Sequence, residues 1–302
     1  MVRVRKKLAL ILGFMPLLAA LFMTILPLNT ANAESRMAGS VYVIPVKMTV
    51  ESGLASFLDR ALTEAEEAKA SLVVLDFDTP GGRLDTAEQI GMRIRETTVP
   101  TVAFVSGKAA SAGAYLALNA GDIAMAPATT IGAAMIVDQN GNAVDNPKYV
   151  SFWSQEMAGA AELNGRNSDI AVKMVDPSRE LTLPELGETY KAGTILSLSA
   201  EKALKVGYAD TIAKSVDEVI AWKGLQDRPV IEVKLTLAEH VSEFLTSPAV
   251  TTILLILGIA GVAIELLVPG FGVPGIVGVI AFGLYFFGQY VAGFAGMEAV
   301  VL

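Results

Sequence analysis

From residue 40 to about residue 220 the chain alternates between two hydrophobic rhythms. Residues 41–46, 71–76, 100–105 and 123–126 are short, nearly unbroken apolar runs, the pattern of strands buried on both faces. Between them the apolar positions recur every three or four residues. Over 52–69 they are Leu54, Leu58, Ala61, Leu62 and Ala65, which share one face of a helix. A second helix is predicted over 85–95, and a third starts near Ser111. The turns Thr79-Pro80-Gly81-Gly82 and Ser106-Gly107 end two of the strands. Strand and helix in regular alternation predict right-handed crossovers and a mostly parallel α/β sheet. After Pro147 the period is helical again. Residues 194–219 add a strand-like piece, a helix from about Ser199 and a turn at 206–210.

Both ends break this rhythm. Arg3, Arg5, Lys6 and Lys7 precede an apolar run over 8–28, and Ala31-Asn32-Ala33 follows. A basic start, an apolar stretch and a small-x-small site make residues 1–33 a signal peptide, or an N-terminal anchor if uncut. From Ala249 to Leu302 there is no lysine or arginine, and only Glu265 and Glu298 are acidic. Residues 249–268 and 275–295 are each near the ~20 residues that span a bilayer. The organisation expected is therefore a leader over 1–33, an α/β domain over 38–225, a juxtamembrane linker over 226–248 and two transmembrane helices within 249–302. The basic leader residues stay cytoplasmic, which puts the α/β domain of this multi-pass protein on the extracytoplasmic side of the cell membrane.

Composition narrows the chemistry. Hydrophobic residues make up 53% of the chain, and the ends account for the excess. The net charge of −8 becomes −12 without the four basic leader residues. An acidic chain with no basic stripe excludes nucleic acid as a partner. With no cysteine there is no disulfide, thiol nucleophile or thiolate metal site. His240 is the only histidine and falls after the α/β domain, so neither a Ser-His-Asp triad nor a histidine metal site is expected.

One serine stands out. Ser111 lies in Lys108-Ala-Ala-Ser-Ala-Gly-Ala-Tyr115, with small residues on both sides, between a predicted strand and a predicted helix. Taken alone, the segment also reads as a helix N-cap with small packing neighbours. In a parallel sheet the loops after consecutive strands gather at the carboxyl edge. The Gly81-Gly82 turn and the Ser111 loop meet there, and the amides of Gly82 and Ala112 can then point at one oxygen as an oxyanion hole. Gly81 and Gly113 would line the path of an extended substrate. A tight turn needing positive φ is the plainer use of the glycines.

Asp76-Phe-Asp-Thr-Pro-Gly-Gly82, Ala110-Ser-Ala-Gly-Ala-Tyr115, Ile123-Ala-Met-Ala-Pro127 and Thr130-Ile-Gly-Ala-Ala134 resemble the NfeD family of membrane-bound serine proteases. So do Ser199-Ala-Glu-Lys-Ala-Leu, Gly207-Tyr-Ala-Asp210 and Glu265 with Pro269-Gly-Phe-Gly272. The resemblance implies a Clp protease/crotonase-like fold and a serine–lysine dyad, with Ser111 as nucleophile and Lys148, after Pro147, as base. A lysine serves as base only when neutral, which burial favours. Pro147, Tyr149, Val150, Phe152 and Trp153 are the apolar neighbours expected to bury Lys148. Lys108 is a rival base. The resemblance further implies stomatin- or flotillin-type membrane proteins as clients or partners, self-association as a homo-oligomer, and no cofactor or metal. A non-catalytic membrane scaffold and an acyl-CoA enzyme of the same fold are the other readings. Longer family members carry more membrane segments and a small carboxy-terminal β-barrel.

Overall fold

In a computed structural model that describes residues 39–138, 141–267 and 272–291, the apolar runs become the centre of one sheet. β1 (Val41–Val46), β2 (Leu72–Thr79), β3 (Thr101–Ala110) and β4 (Asp122–Met125) lie side by side and are all parallel. β9 (Thr211–Ile212) and β10 (Val230–Glu232) close the two edges, also in parallel. β5 (Thr130–Gly132) pairs with the far end of β3, and β8 (Ser197–Ser199) pairs antiparallel with β5. β6 (Leu181–Leu183) and β7 (Glu188–Tyr190) form a separate hairpin.

Successive side chains of a strand face opposite ways, so each central strand supplies two cores. Tyr42, Ile44, Val73, Leu75, Phe77, Ala103 and Val105 enter the larger one. It is covered by α1 (Ser52–Glu67), α2 (Leu84–Glu96), α3 (Ala112–Leu118), α4 (Pro147–Leu163) and α5 (Ser168–Val175). Val41, Val43, Leu72, Val74, Val102 and Phe104 form the smaller core, under Val219 and Ile220 of α7 (Val216–Trp222). α6 (Ala200–Lys205) lies between β8 and β9.

The structure departs from the sequence reading in two instructive places. β3 runs five residues past its predicted end at Val105, because β5 supplies a partner for Lys108, Ala109 and Ala110. The segment expected as a linker is ordered structure. β10 joins β1, and α8 (Leu237–Thr246) opens with a capping box between Thr236 and Glu239. Arg60 of α1 then bonds Glu239 at 2.7 and 2.8 Å. The leader and residues 268–271 of the membrane turn lie outside the described residues.

The chain divides near residue 247 into the α/β unit and a helical unit. The helical unit holds α9 (Pro248–Leu267) and, up to Phe286, α10 (Val273–Val291); both helices are long and apolar enough to cross a membrane. Small residues let the two helices approach closely: a Cβ added at Gly261 would lie 2.7 Å from Gly278 Cα. Glu265, acidic within an otherwise apolar segment, has a structural role. Its Oε2 accepts the Gly272 amide at 3.0 Å and so caps the approach to α10.

Candidate active site

Ser111 sits where β3 gives way to α3, and its backbone is strained there. Its φ of 54° and ψ of −125° are a conformation that L-residues rarely adopt. Strain of this kind costs ~1–3 kcal/mol and persists only where the surroundings impose it, which is typical of functional sites. The surroundings here are identifiable. The Ser111 amide donates to the Gly132 carbonyl at 2.9 Å, which ties it to β5, and its carbonyl accepts the Ala114 amide at 2.9 Å. Although Ser111 occupies the N-cap position of α3, its side chain makes no capping bond. The half-buried hydroxyl is therefore left available, and the plain N-cap reading does not account for it.

The glycine turn comes to Ser111 as the topology requires. Thr79 holds it: its hydroxyl donates to the Met48 carbonyl at 2.7 Å and accepts the Gly81 amide at 3.2 Å. Gly81 has φ +95°, and a Cβ there would lie 2.6 Å from Ser111 Cβ and 3.0 Å from the Ala112 nitrogen. Gly113 is equally constrained, since its added Cβ would meet Thr79 Cγ2 at 2.5 Å. Gly82 forms a parallel bridge with Val50, in which Val50 N–H donates to Gly81 and its carbonyl accepts from Arg83. In such a bridge the middle residue's own amide faces away. The amides of exposed Gly82 and of Ala112 have no acceptor among the described residues. Gly81, Gly82, Ser111, Ala112 and Gly113 are thus brought together at the carboxyl edge. Sequence reasoning missed Thr79, the side chain that ties the glycine turn to the Met48 carbonyl; its place before Pro-Gly-Gly was the available signal.

The rim of this edge is charged. Burial raises the Glu51 carboxyl above its ordinary range, with Arg83 opposing and Asp85 adding to the rise. A hydrogen bond from Arg83 holds the Asp85 carboxyl below its usual value against the cost of burial.

Lys148 is placed differently from expectation. It occupies the first turn of α4, whose start is fixed by Pro147 and by the Asn146 side chain accepting the Lys148 amide at 3.0 Å. The helix is anchored one turn later. Trp153 is fully buried, donates to the Ala134 carbonyl at 3.1 Å and packs on Tyr115 with ring centroids 4.9 Å apart. Ala134 follows β5, the strand that receives the Ser111 amide, so α4 and the Ser111 loop share one support. Lys148 itself is exposed, and so are Tyr149 and Phe152, each by 54%. The apolar enclosure expected for Lys148 is absent within the described residues of one chain, because Trp153 and Val150 pack toward the core while Tyr149 and Phe152 point outward. Lys148 also makes no ion pair among the described residues. Lys108 is exposed on β3, and His240 lies on α8, 4.0 Å from Glu243. No group of three or more metal-ligating side chains occurs among the described residues.

Two buried charges were not legible as such. Arg166 donates to the Tyr208 carbonyl at 3.1 Å and to Asp210 at 2.9 Å, while Asp210 also accepts the Ile123 amide at 2.7 Å. This clip explains the Gly207-Tyr-Ala-Asp210 segment as a tie between β4 and the start of α5. Lys173 is 1% exposed and points its ammonium at the carbonyls of Pro177, Arg179 and Lys191.

Known proteins resemble this chain over most of its length. The model of the NfeD1b N-terminal domain matches residues 40–233, and that of the NfeD integral membrane domain matches residues 249–302. The chain is 40% identical over 290 residues to membrane protein NfeD1b of Bacillus subtilis (strain 168), covering 96% of this chain and 65% of that protein. It is 31% identical over 281 residues to membrane-bound protease PH1510 of Pyrococcus horikoshii, covering 84% of this chain and 60% of that one. It therefore spans somewhat under two thirds of the length of these curated relatives. Among solved structures it resembles the 1510-N membrane-bound stomatin-specific protease. A lysine-to-alanine mutant of that protein, in complex with a substrate peptide, superposes with a TM-score of 0.58 at 27% identity, covering 69% of this chain and 98% of that one. A serine-to-alanine mutant gives 0.56 at 28% identity, covering 66% and 99%. The architecture expected from the sequence, an α/β domain with a mostly parallel sheet followed by two apolar helices, is the one observed, and its α/β domain shares the fold of the 1510-N protease. The chain is a membrane protein and belongs to the NfeD family.

Proposed function

We propose that this chain is a membrane-anchored serine endopeptidase with a Ser111–Lys148 dyad. The observation that carries the reading is the strained backbone of Ser111, which presents an uncommitted hydroxyl between two glycine-lined loops. Ser111 Oγ attacks the scissile carbonyl carbon, and its proton passes to neutral Lys148. The amides of Gly82 and Ala112 receive the developing oxyanion, each typically contributing ~3 kcal/mol of transition-state stabilisation. Lys148 returns the proton to the leaving amine, and water then cleaves the acyl-enzyme. An extended client runs past Gly81 and Gly113. The solved structures named as a stomatin-specific protease, one with a substrate peptide, support a stomatin-type membrane protein as client, and a flotillin-type client is proposed beside it. The basic leader residues support an extracytoplasmic α/β domain. No cofactor or metal enters the scheme.

An exposed lysine is a poor base. The reading therefore requires that a second copy of the chain, or the bound client, cover Lys148 together with Tyr149 and Phe152. The same exposure favours the alternative, a scaffold of membrane assemblies that keeps the fold without turnover. A fluorophosphonate probe applied to the full chain in membranes separates the two. Wild type is expected to label, and neither Ser111→Ala nor Lys148→Ala is. Lys148→Ala should fold normally, since replacing an exposed side chain changes stability by only ~0.5 kcal/mol. Wild-type labelling of Lys148→Ala would remove Lys148 from the mechanism, and no labelling of wild type in any assembly state would leave the scaffold.

A further inference from the structure

α8 carries an apolar face that nothing in the α/β unit covers. One side of the helix is fixed: Glu239 pairs with Arg60 at 2.7 Å, and a Cβ added at Gly53 of α1 would lie 3.7 Å from Glu243 Cα. Another side presents Leu237, Val241 and Phe244, spaced i, i+4, i+7, which are 78%, 38% and 63% exposed. Large apolar side chains aligned on one helix face are unfavourable in water and mark a surface that is covered in use.

Two observations select the bilayer as the cover. The first is connectivity. α8 ends at Thr246 and the apolar helix α9 starts at Pro248, within a residue of the segment matched by the NfeD integral membrane domain. At ~3.5 Å per residue of extended chain, Ser247 and its neighbours cannot carry Phe244 far from the point of membrane entry. The second is size. Three side chains offer much less than the ~800 Å² per partner of a stable protein interface. A short amphipathic helix, by contrast, seats well in the boundary between headgroups and acyl chains.

We propose that α8 is an interfacial helix whose Leu237, Val241 and Phe244 face is embedded in the bilayer surface, so that it docks the α/β unit on the membrane. The docking fixes an orientation. Gly53, beneath Glu243, follows Val50 by three residues, and Val50 is bonded to Gly81 and Arg83 beside Ser111. The membrane-entering end of α8 is therefore at the same end of the sheet as the Ser111 loop. If the protease reading of that loop holds, its clients are segments lying close to a membrane surface. The docking itself does not depend on that reading.

The test uses the absence of native cysteine. Leu237→Cys, Val241→Cys and Phe244→Cys variants of the full chain carry an environment-sensitive fluorophore and are placed singly in nanodiscs. Lys214→Cys, on an exposed loop, is the aqueous control, and Leu257→Cys in α9 is the lipid control. The three α8 labels are expected to be blue-shifted, shielded from iodide and quenched by doxyl lipids, as Leu257→Cys is. Iodide quenching equal to that of Lys214→Cys overturns the proposal. So does shielding from both quenchers, which would mean that protein covers the face. Unchanged thermal melting confirms that each variant is folded, and the three positions are independent of one another. Probe labelling of Ser111 in the same variants is read separately, so failure of the docking and failure of the protease reading are distinguishable.

Discussion

Replacing Gly81 by alanine should damage the site far more than the fold. The substitution adds one methyl group, but at φ +95° that methyl would stand 2.6 Å from Ser111 Cβ, 2.8 Å from the Ala110 carbonyl oxygen and 3.0 Å from the Ala112 nitrogen. None of these is the end of a flexible side chain, so the backbone must move. An L-residue in this conformation costs ~1–3 kcal/mol and the overlap another ~1–3 kcal/mol. A total near ~3–4 kcal/mol lies within the ~5–15 kcal/mol that holds an ordinary domain together. The protein should therefore still fold. For a unit of this size each kcal/mol lowers the melting temperature by ~2–4 °C, so the expected fall is about 10 °C. The motion falls on Ser111 and the Ala112 amide themselves, and losing one oxyanion donor slows acylation ~10²–10³-fold. The assay pairs thermal melting with the rate of fluorophosphonate labelling. Gly193→Ala is the control, since Gly193 has φ +89° with nothing within 4 Å of its added Cβ. It should lose ~1–2 kcal/mol and label normally. A Gly81→Ala protein that melts and labels like wild type would show that the two loops are not packed as described, and the oxyanion assignment would fall with them.

Three further outcomes follow from the charges. Asp210→Ala leaves the Arg166 guanidinium, 3% exposed, without its carboxylate; because Asp210 is itself 38% exposed, the expected loss is about 2–3 kcal/mol in chemical denaturation. Lys173→Met strands three carbonyl acceptors, those of Pro177, Arg179 and Lys191. Faster amide exchange over residues 177–193, confined to the hairpin, is expected, with a local cost of ~2–4 kcal/mol. For Glu239, burial pushes the carboxyl up, but the Arg60 bonds and the Thr236 amide outweigh it and hold it below its usual value. A depressed carboxyl contributes stability above its unfolded pKa and loses it as pH falls through the folded one. Exchange protection of α8 should therefore decline below about pH 4, and protection that is flat down to pH 3 would refute the ion pair.

What the sequence disclosed and what it concealed follow from the range of the forces involved. Runs such as Val73-Val-Leu75 read as buried strands because hydrophobic burial leaves a local pattern, and Pro147 marked the start of α4 because its ring tolerates only the first turn. The meeting of Gly81 with Ser111 was legible because topology alone gathers those loops. β5, β9 and β10 have two or three residues each and are strands only through distant partners, so no local period announces them. The burial of Arg166 and Lys173 leaves no local mark, since a sequence does not show which carbonyls will converge on a buried cation. The positive φ of Ser111 had no sign beyond its small neighbours.

Lys148 shows where a single chain stops being sufficient. The apolar neighbours that predicted its burial are present, but a helix turns 100° per residue and distributes them around its axis. Trp153 goes inward and anchors α4. Tyr149 and Phe152 go outward, and Phe152, four residues after Lys148, lies on the lysine's own side of the helix. An exposed aromatic pair beside an exposed amine is half of a water-poor pocket. On the dyad reading, the other half is supplied by whatever molecule closes over that turn. On the same reading, Ser111 stays half-buried and uncommitted in the isolated chain, and the proposed proton transfer waits on assembly or on a client. Control of this kind suits a hydrolase that shares a membrane with proteins it must leave intact. The dyad reading thereby accounts for a strained serine whose proposed base is exposed.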